Sequence, residues 1–198
     1  MIPKNAGFRK GKLLMTIYFF TSSLLSAQVT NYTYDDSKSV ISGNNYGQLI
    51  MEMPFGAKLY RNPYIKAQDL LDNLKNLCKG KAIFIDFWAT WCAPCIEAMP
   101  NVKRLFIDTK KLPIEFIYIC TDNRTSMDNW ITKISVLKQP GIHIFVEDEI
   151  IRQMWGSLPV GGGFPSYVFI DSTGKFIQEA IPLNTSTTTE RLSGLIKK

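Results

Sequence analysis

The chain has 198 residues, of which 45% are hydrophobic and 20% are charged. This composition is typical of a globular protein and excludes an intrinsically disordered chain. The formal net charge of +6 comes mostly from four cations near the start, and the remaining chain carries 19 basic and 17 acidic residues. It has no cluster of Lys and Arg interleaved with aromatic residues, so the sequence does not support nucleic-acid binding.

Residues 1–27 have the layout of a secretory signal peptide. A basic stretch over residues 1–12 precedes an apolar run from Leu13 to Leu25, and Ala27 follows as a small residue suited to a cleavage site. The run is shorter than the ~20 residues that a membrane-spanning helix needs. We therefore expect cleavage after Ala27 and export to the periplasm, where disulfides persist. The alternative is an uncleaved anchor in the inner membrane through residues 13–25.

Residues 28–63 are predicted to form an N-terminal extension of strands and turns. The weak alternation at Asn31–Tyr34 indicates an edge strand, and Gly43–Asn45 is a turn signal. A second short strand is predicted over Gln48–Met53, and Pro54 is expected to end it. Residues 64–198 are then expected to form one domain.

Apolar residues at helical spacing predict a helix over 64–78, and β-branched and aromatic residues predict a buried strand over 82–88. A helix is expected from Trp91 to about Lys110, with a kink or restart at Pro100, since proline lacks the N–H and clashes with the preceding turn. The nearly continuous apolar run Leu112–Cys120 predicts a central strand that is covered on both faces.

The second half of the chain predicts, in order, a helix from an N-cap at Ser126 to about Lys138, a strand over Ile142–Val146, a short helix over Glu147–Met154, a hairpin of Pro165–Asp171 with Lys175–Glu179, and a final helix over Thr189–Lys197. This order predicts an α/β fold with a mixed central β-sheet flanked by helices. Residues 126–163 are interpreted as an insert before the hairpin.

The strand over 82–88 leads into Cys92-Ala93-Pro94-Cys95. A helix that opens at Cys92 points its free N–H groups and positive dipole end at that sulfur, which favours the nucleophilic thiolate. Cys95 can then displace whatever Cys92 has bonded. We expect Cys92 to be partly exposed and Cys95 to be shielded.

The alternatives for this pair are a structural disulfide or half of a zinc site. Zinc needs further ligands, and Cys78, Cys120 and His143 do not have paired-ligand spacing, so no metal is expected. His143, the single histidine, is interpreted as a packing or hydrogen-bonding residue.

The string Asp-Phe-Trp-Ala-Thr-Trp-Cys-Ala-Pro-Cys at 86–95, with Met99-Pro100 soon after, resembles the active-site signature of thioredoxin-fold disulfide oxidoreductases. More narrowly, it is similar to that of periplasmic TlpA/ResA-like thioredoxins. The resemblance covers residues 64–195 and implies a thioredoxin-like fold. It also implies reduction of periplasmic protein disulfides, in cytochrome maturation or disulfide repair, without a cofactor. Electrons are expected from a membrane-bound thiol reductase.

Asp86 is a carboxyl on a buried strand, where desolvation should raise its pKa and let it exchange a proton with the thiol of Cys95. The resemblance implies the same role, and the alternative is a hydrogen-bonded structural carboxyl. TlpA/ResA-like proteins often carry Glu three residues after the second Cys, where this chain has Ala98. Glu97 lies one residue earlier, about 100° around the helix, so proton transfer is assigned to Asp86.

The resemblance also implies a substrate site around the Cys pair. Pro165 matches the place of a cis proline opposite the two cysteines, where the backbone of Phe164 would pair with an extended substrate peptide; the alternative is an ordinary trans proline at a strand start. Trp91 is predicted to be an exposed apolar shelf, Pro94 to stiffen the turn and tune the thiolate, and Trp88 to lie in the core.

Cys78 and Cys120 are interpreted as small buried apolar residues, with a bridge between them left open. Trp130 and Trp155 are predicted to pack in the core or in the insert. The second candidate function is a thioredoxin-fold binding or assembly module in which the Cys pair is structural. In that case Phe164 and the insert would form the partner surface.

Overall fold

The computed structural model describes residues 46–177 and 185–196. The signal peptide expected at 1–27 and the strand expected at 31–34 lie outside these residues. The described chain forms, in order, β1 (Gln48–Glu52), β2 (Ala57–Arg61), α1 (Ala67–Leu77), β3 (Ala82–Trp88), α2 (Ala93–Asp108), β4 (Ile114–Thr121), α3 (Met127–Leu137), β5 (Gly141–Val146), α4 (Asp148–Ser157), β6 (Ser166–Ile170), β7 (Phe176–Ile177) and α5 (Thr185–Ile196).

The strands form one mixed sheet in the order β1-β2-β5-β4-β3-β6-β7. Strands β2, β5, β4 and β3 are parallel, and the hairpin strand β6 pairs antiparallel with β3. All seven residues of β3 are buried. A strand covered on both faces has no polar side to alternate with, which explains the continuous apolar run in its sequence.

Two apolar clusters cover the two faces of the sheet. Side chains alternate along β3, so Phe84 and Trp88 join the cluster under α2 and α3, whereas Ile85 and Phe87 join the cluster under α1 and α4. The largest buried side chains include Trp88 and Trp130, both fully buried as predicted. The expected α/β architecture with helices on both faces is confirmed.

Residues 126–163 form part of the central sheet and its helices. They supply α3, β5 and α4, and β5 lies inside the sheet between β2 and β4. Within the sheet, the β1–β2 hairpin is therefore joined to β4 and β3 only through β5, a strand of the insert. Strand β2 was not predicted from the sequence, although buried Ala57 and Leu59 flank exposed Lys58 in the alternation of a half-buried strand.

Two local predictions about helices have different outcomes. Ser126 caps α3 as predicted, because its side chain accepts a hydrogen bond from the N–H of Asn129 at 3.2 Å. Of the kink or restart expected at Pro100, the restart does not occur, since α2 runs as one helix from Ala93 to Asp108 with Pro100 inside it. None of the helices in the described ranges is long and apolar enough to cross a membrane.

Candidate active site

The two cysteines lie where β3 passes into α2. Cys92 is the N-cap residue of α2 and Cys95 lies in its first turn, with Pro94 between them at a position where a helix tolerates a missing N–H. Their sulfurs are joined in a disulfide, and the Cα atoms are 5.3 Å apart. The N–H of Cys95 donates to Sγ of Cys92 at 3.2 Å. This donor and the helix dipole would stabilise a thiolate on Cys92 once the disulfide is reduced.

Cys92 is less accessible than the sequence predicted. Its exposed fraction is 5% and that of Cys95 is 2%, so the expectation of a partly exposed Cys92 is wrong. The reason is that Cys92 packs in the apolar cluster that also contains Cys95 and Trp88. It nevertheless lines a groove of about 540 Å³ whose lining also includes Trp91, Pro94 and Phe164. Cys95 does not line this groove. The two cysteines therefore still differ in access, because Cys92 lines the groove and Cys95 does not.

Three aromatic rings shape the groove. The ring of Phe164 stands edge-on to Trp155, with centroids 4.9 Å apart, and edge-on to Trp91 at 5.8 Å. Trp155, which sequence reasoning assigned to packing, lines the groove together with Asp148 and Arg152. These three residues are spaced along one face of α4, and that spacing was the available signal for a functional face.

The bond between Phe164 and Pro165 is cis, as predicted. Ser166 begins β6 and pairs with Phe87 near the end of β3, which brings Phe164 to the level of Cys92. Gly163 and Phe164 line the groove, whereas Pro165 is not among the lining residues.

Trp91 is an exposed shelf, as expected, with 41% of its surface accessible. Its Nε1–H donates to the carbonyl of Asn123 at 2.7 Å. The guanidinium of Arg124 lies over the ring, 4.1 Å from its centroid, in a cation–π contact. Sequence reasoning did not find Asn123 and Arg124, because nothing in their local pattern points to a ring more than thirty residues away.

Asp86 is buried, with 2% of its surface exposed. It lies on the same face of β3 as Phe84 and Trp88, which belong to the cluster that contains Cys95. Its Oδ1 has no hydrogen-bond partner among the described residues. Burial raises the pKa of Asp86 to about 8. The carboxyl is therefore mostly protonated at neutral pH, with a minor ionised fraction, and its unpartnered oxygen does not fit the alternative of a hydrogen-bonded structural carboxyl.

Cys78 and Cys120 are both free and buried. They belong to the clusters on opposite faces of the sheet, which excludes a bridge between them. Burial raises the pKa of Cys78 to about 11 and raises that of Cys120 further. Among the described residues, no group of three or more His, Cys, Asp or Glu side chains could hold a metal ion.

A disulfide at the start of the helix that follows the central strand of a mixed sheet, opposite a cis proline, is the arrangement of a thioredoxin-fold dithiol protein. The comparison with protein families agrees with this class. The chain belongs to the Redoxin family, whose model matches residues 67–193.

Among curated proteins, the chain is similar to the thiol-disulfide oxidoreductase ResA of Bacillus thuringiensis, with 32% identity over 125 residues. That match covers 63% of this chain and 66% of the relative, just under two thirds of its length. ResA of Bacillus subtilis is 23% identical over 190 residues, which cover 96% of this chain and 92% of that protein.

Among solved structures, the thioredoxin domain of a thiol-disulfide oxidoreductase from Bacteroides vulgatus superposes with a TM-score of 0.52. The sequence identity is 19%, and the match covers 61% of this chain and 83% of that domain. At this identity, the likeness is one of fold.

Proposed function

We propose that the protein is a thiol-disulfide oxidoreductase that reduces disulfides of other proteins through Cys92 and Cys95. One observation carries the proposal: Cys92 caps α2, accepts the N–H of Cys95 and faces the groove, while Cys95 lies behind it. A structural disulfide needs neither a groove beside one sulfur nor donors directed at it. The ResA relatives, which are named thiol-disulfide oxidoreductases, support the same assignment.

The reaction consists of two thiol–disulfide exchanges. The thiolate of Cys92 attacks one sulfur of the substrate disulfide, so that the substrate bond breaks, a mixed disulfide forms and the other substrate sulfur leaves as a thiolate. The thiolate of Cys95 then attacks Sγ of Cys92 and releases the second substrate sulfur. Two electrons pass from the Cys pair to the substrate, and the protein ends with the Cys92–Cys95 disulfide seen in the structure.

We assign Asp86 to proton transfer with the thiol of Cys95. A thiol is a poor nucleophile, so Cys95 must lose its proton before the second exchange. Asp86 is a buried carboxyl with a pKa of about 8 on the sheet face that packs against Cys95. A base whose pKa lies near the working pH can both take up and return this proton.

The substrate would lie in the groove as an extended segment. We assign Trp91, Pro94, Phe164 and Pro165 to its binding, with the backbone before β6 as the edge against which a peptide strand pairs. Trp91 and Phe164 offer apolar ring surface within the same groove as Cys92.

The proposed cellular setting rests on sequence features alone. We propose that residues 1–27 direct export to the periplasm and that residues 64–198 form the catalytic domain behind the extension at 28–63. A membrane-bound thiol reductase would return electrons to the Cys92–Cys95 disulfide. Its substrates would be exported proteins, such as apocytochromes kept reduced for maturation or proteins with wrong disulfides.

The test is reduction of a protein disulfide, such as that of insulin, by the dithiothreitol-reduced protein. Cys92→Ser should abolish turnover, Cys95→Ser should accumulate a mixed disulfide visible on a non-reducing gel, and Cys78→Ser, a buried thiol on the other face, should remain active. The Cys92/Cys95 reduction potential in a glutathione series decides the direction, since a value near thioredoxin's, about −270 mV, supports a reductant.

Turnover by the Cys92→Ser protein at the wild-type rate would overturn the proposal. The binding or assembly module would be supported instead if the wild type and the double variant Cys92→Ala/Cys95→Ala bound a partner equally well and neither turned over.

A further inference from the structure

The segment Thr121–Thr125, called here the 121–125 loop, begins at the last residue of β4 and contacts the active site at three points. The carbonyl of Asn123 accepts the indole N–H of Trp91 at 2.7 Å. The guanidinium of Arg124 lies 4.1 Å from the centroid of that ring. The hydroxyls of Thr125 and Thr90 are 2.7 Å apart. The loop thus holds Trp91 by one edge and one face, next to Cys92.

The same loop is bonded to the start of α4. Oδ1 of Asp122 accepts the backbone N–H of Asp148 at 2.8 Å. It acts as a cap supplied from another element, because the N-cap residue Glu147 makes no side-chain cap hydrogen bond. The hydroxyl of Thr121 donates to Oδ1 of Asp148 at 2.9 Å.

Thr121 connects these two sets of contacts. Its hydroxyl donates to Asp148 and also accepts the N–H of Asn123 at 3.0 Å, so both of its hydrogen-bonding roles are used. A continuous path runs from Asp148 through Thr121 and Asn123 to the indole of Trp91. Thr121 is fully buried, so water cannot easily replace its hydroxyl.

The loop needs these bonds to keep its shape. Arg124 has a φ of 54°, in the left-handed region that residues other than glycine rarely adopt. Such a backbone persists only where surrounding contacts hold it. Removing the hydroxyl of Thr121 would release the N–H of Asn123, and the neighbouring residue Arg124 could then relax away from Trp91.

Both ends of the path reach the groove. Trp91 and Asp148 are among its lining residues, and so are Arg152 and Trp155 of α4. We infer that Thr121 is a positioning residue: through Asn123 and Asp148, its hydroxyl fixes Trp91 relative to the start of α4 and so sets the groove for a peptide substrate. The inference rests on the proposed oxidoreductase function for its kinetic consequence.

The kinetic test compares Thr121→Val, which removes the hydroxyl and keeps the shape, with Thr121→Ser, which restores it. Loss of a buried hydrogen bond predicts an increase of about fivefold in KM for insulin with Thr121→Val. Its kcat and its rate with the small disulfide 5,5′-dithiobis(2-nitrobenzoate) should stay within about twofold of wild type, because the thiols are untouched. Thr121→Ser should restore KM.

Thr109→Val is the matched control, because Thr109 is buried and its hydroxyl donates to the carbonyl of Leu105 far along α2. It should leave KM unchanged. The inference is overturned if Thr121→Val has the wild-type KM, if Thr121→Ser fails to restore it, or if the rate with the small disulfide falls in parallel with the insulin rate.

An NMR measurement tests the positioning without turnover. The indole N–H signal of Trp91, assigned by its absence in Trp91→Phe, should shift and exchange faster with solvent in Thr121→Val but not in Thr121→Ser or Thr109→Val. If the wild type reduces neither substrate, the proposed function fails and the indole signal alone decides the inference. An unshifted signal in Thr121→Val overturns it.

Discussion

Asp86 and Tyr118 are direct neighbours across β3 and β4 in the parallel register of the two strands. Tyr118 is in turn the neighbour of His143 on β5, and their rings stack with centroids 4.6 Å apart. A row of three polar side chains therefore crosses the sheet, with Asp86 on the face that packs against α2. Burial keeps Asp86 mostly uncharged at neutral pH as a protonated acid and His143 uncharged as a neutral base. The two residues therefore change the stability of the fold with pH in opposite directions.

Replacing Asp86 by Asn should make the oxidised protein more stable at alkaline pH. The pKa of Asp86 is raised from 3.8 to about 8, so the folded state binds the extra proton between those values and wild-type stability falls as pH rises through that range. Asn imitates the protonated carboxyl and removes this slope. Each unit of pKa shift corresponds to about 1.4 kcal/mol, and we expect a gain of at least about 2 kcal/mol at pH 8. Urea unfolding at pH 5 and pH 8 measures the free energy of unfolding of both proteins. An equal change between the two pH values for the wild type and Asp86→Asn would contradict the raised pKa of Asp86.

His143 should have the opposite effect, at acid pH. Burial lowers the pKa of His143 from 6.5 to about 4. The unfolded chain therefore binds the proton first, and the folded state loses stability as pH falls from 6.5 towards 4. In His143→Phe, which keeps a ring against Tyr118 but cannot ionise, this loss should disappear.

The measurement is the free energy of unfolding at pH 7.5 and pH 4.5. His143→Phe should be the less stable protein at pH 7.5, because the contact between Nε2 of His143 and the carbonyl of Gln139 at 2.9 Å is lost. The difference from wild type should shrink by about 1 kcal/mol or more at pH 4.5. A difference that stays constant with pH would mean that His143 has the same pKa in the folded and unfolded states, and that burial does not lower it.

The features that sequence predicted correctly are those that local chemistry dictates. Strand β3 has the predicted bounds. Six of its seven residues are apolar or aromatic and the seventh is Asp86, so neither side of the strand is polar along its length. The N-cap at Ser126 follows from a hydroxyl placed just before helical periodicity. The Cys pair at the start of α2 was recognisable because strand, turn and helix follow within one short string.

The features that sequence missed depend on contacts between distant residues. Strand β2 pairs with β5, 84 residues later in the chain, and only two of its side chains are fully buried. Cys92 lines the same groove as Phe164, and Trp91 is held by contacts with Asn123 and Arg124. Apart from the short alternation at 57–59, these pairings leave no periodic signal in the sequence, so they become visible only when the sheet brings its strands together.

The four thiols of the reduced protein should differ sharply in their reactivity. At pH 7, iodoacetamide should modify Cys92 first and roughly tenfold faster than an unperturbed cysteine, because the start of α2 favours its thiolate. Cys78, with its pKa raised to about 11, and Cys120, with a pKa raised by burial, should not react in the folded protein. Mass spectrometry of timed samples locates the label, and unfolding in guanidinium should equalise all four. Equal sluggishness of Cys92 and Cys95 would remove the basis of the proposed chemistry.

Phe164 should act on large and small substrates in opposite directions. Its ring contacts both Trp91 and Trp155, and each such aromatic pair is worth about 0.5–1.5 kcal/mol. Phe164→Ala would remove apolar surface that a peptide binds and would uncover Cys92, whose exposed fraction is only 5%. We expect KM for insulin to rise about fivefold, while the rate with 5,5′-dithiobis(2-nitrobenzoate) stays the same or rises.

Phe176→Ala separates this effect from a general loss of packing. Phe176 lies on the hairpin, half-buried beneath the ammonium of Lys75 at 4.5 Å, and it does not line the groove. Its truncation should lower the free energy of unfolding without changing KM for either substrate. If Phe164→Ala slowed both substrates equally, or if Phe176→Ala raised KM as much, Phe164 would be a residue of the fold, and the groove would not be where peptides bind.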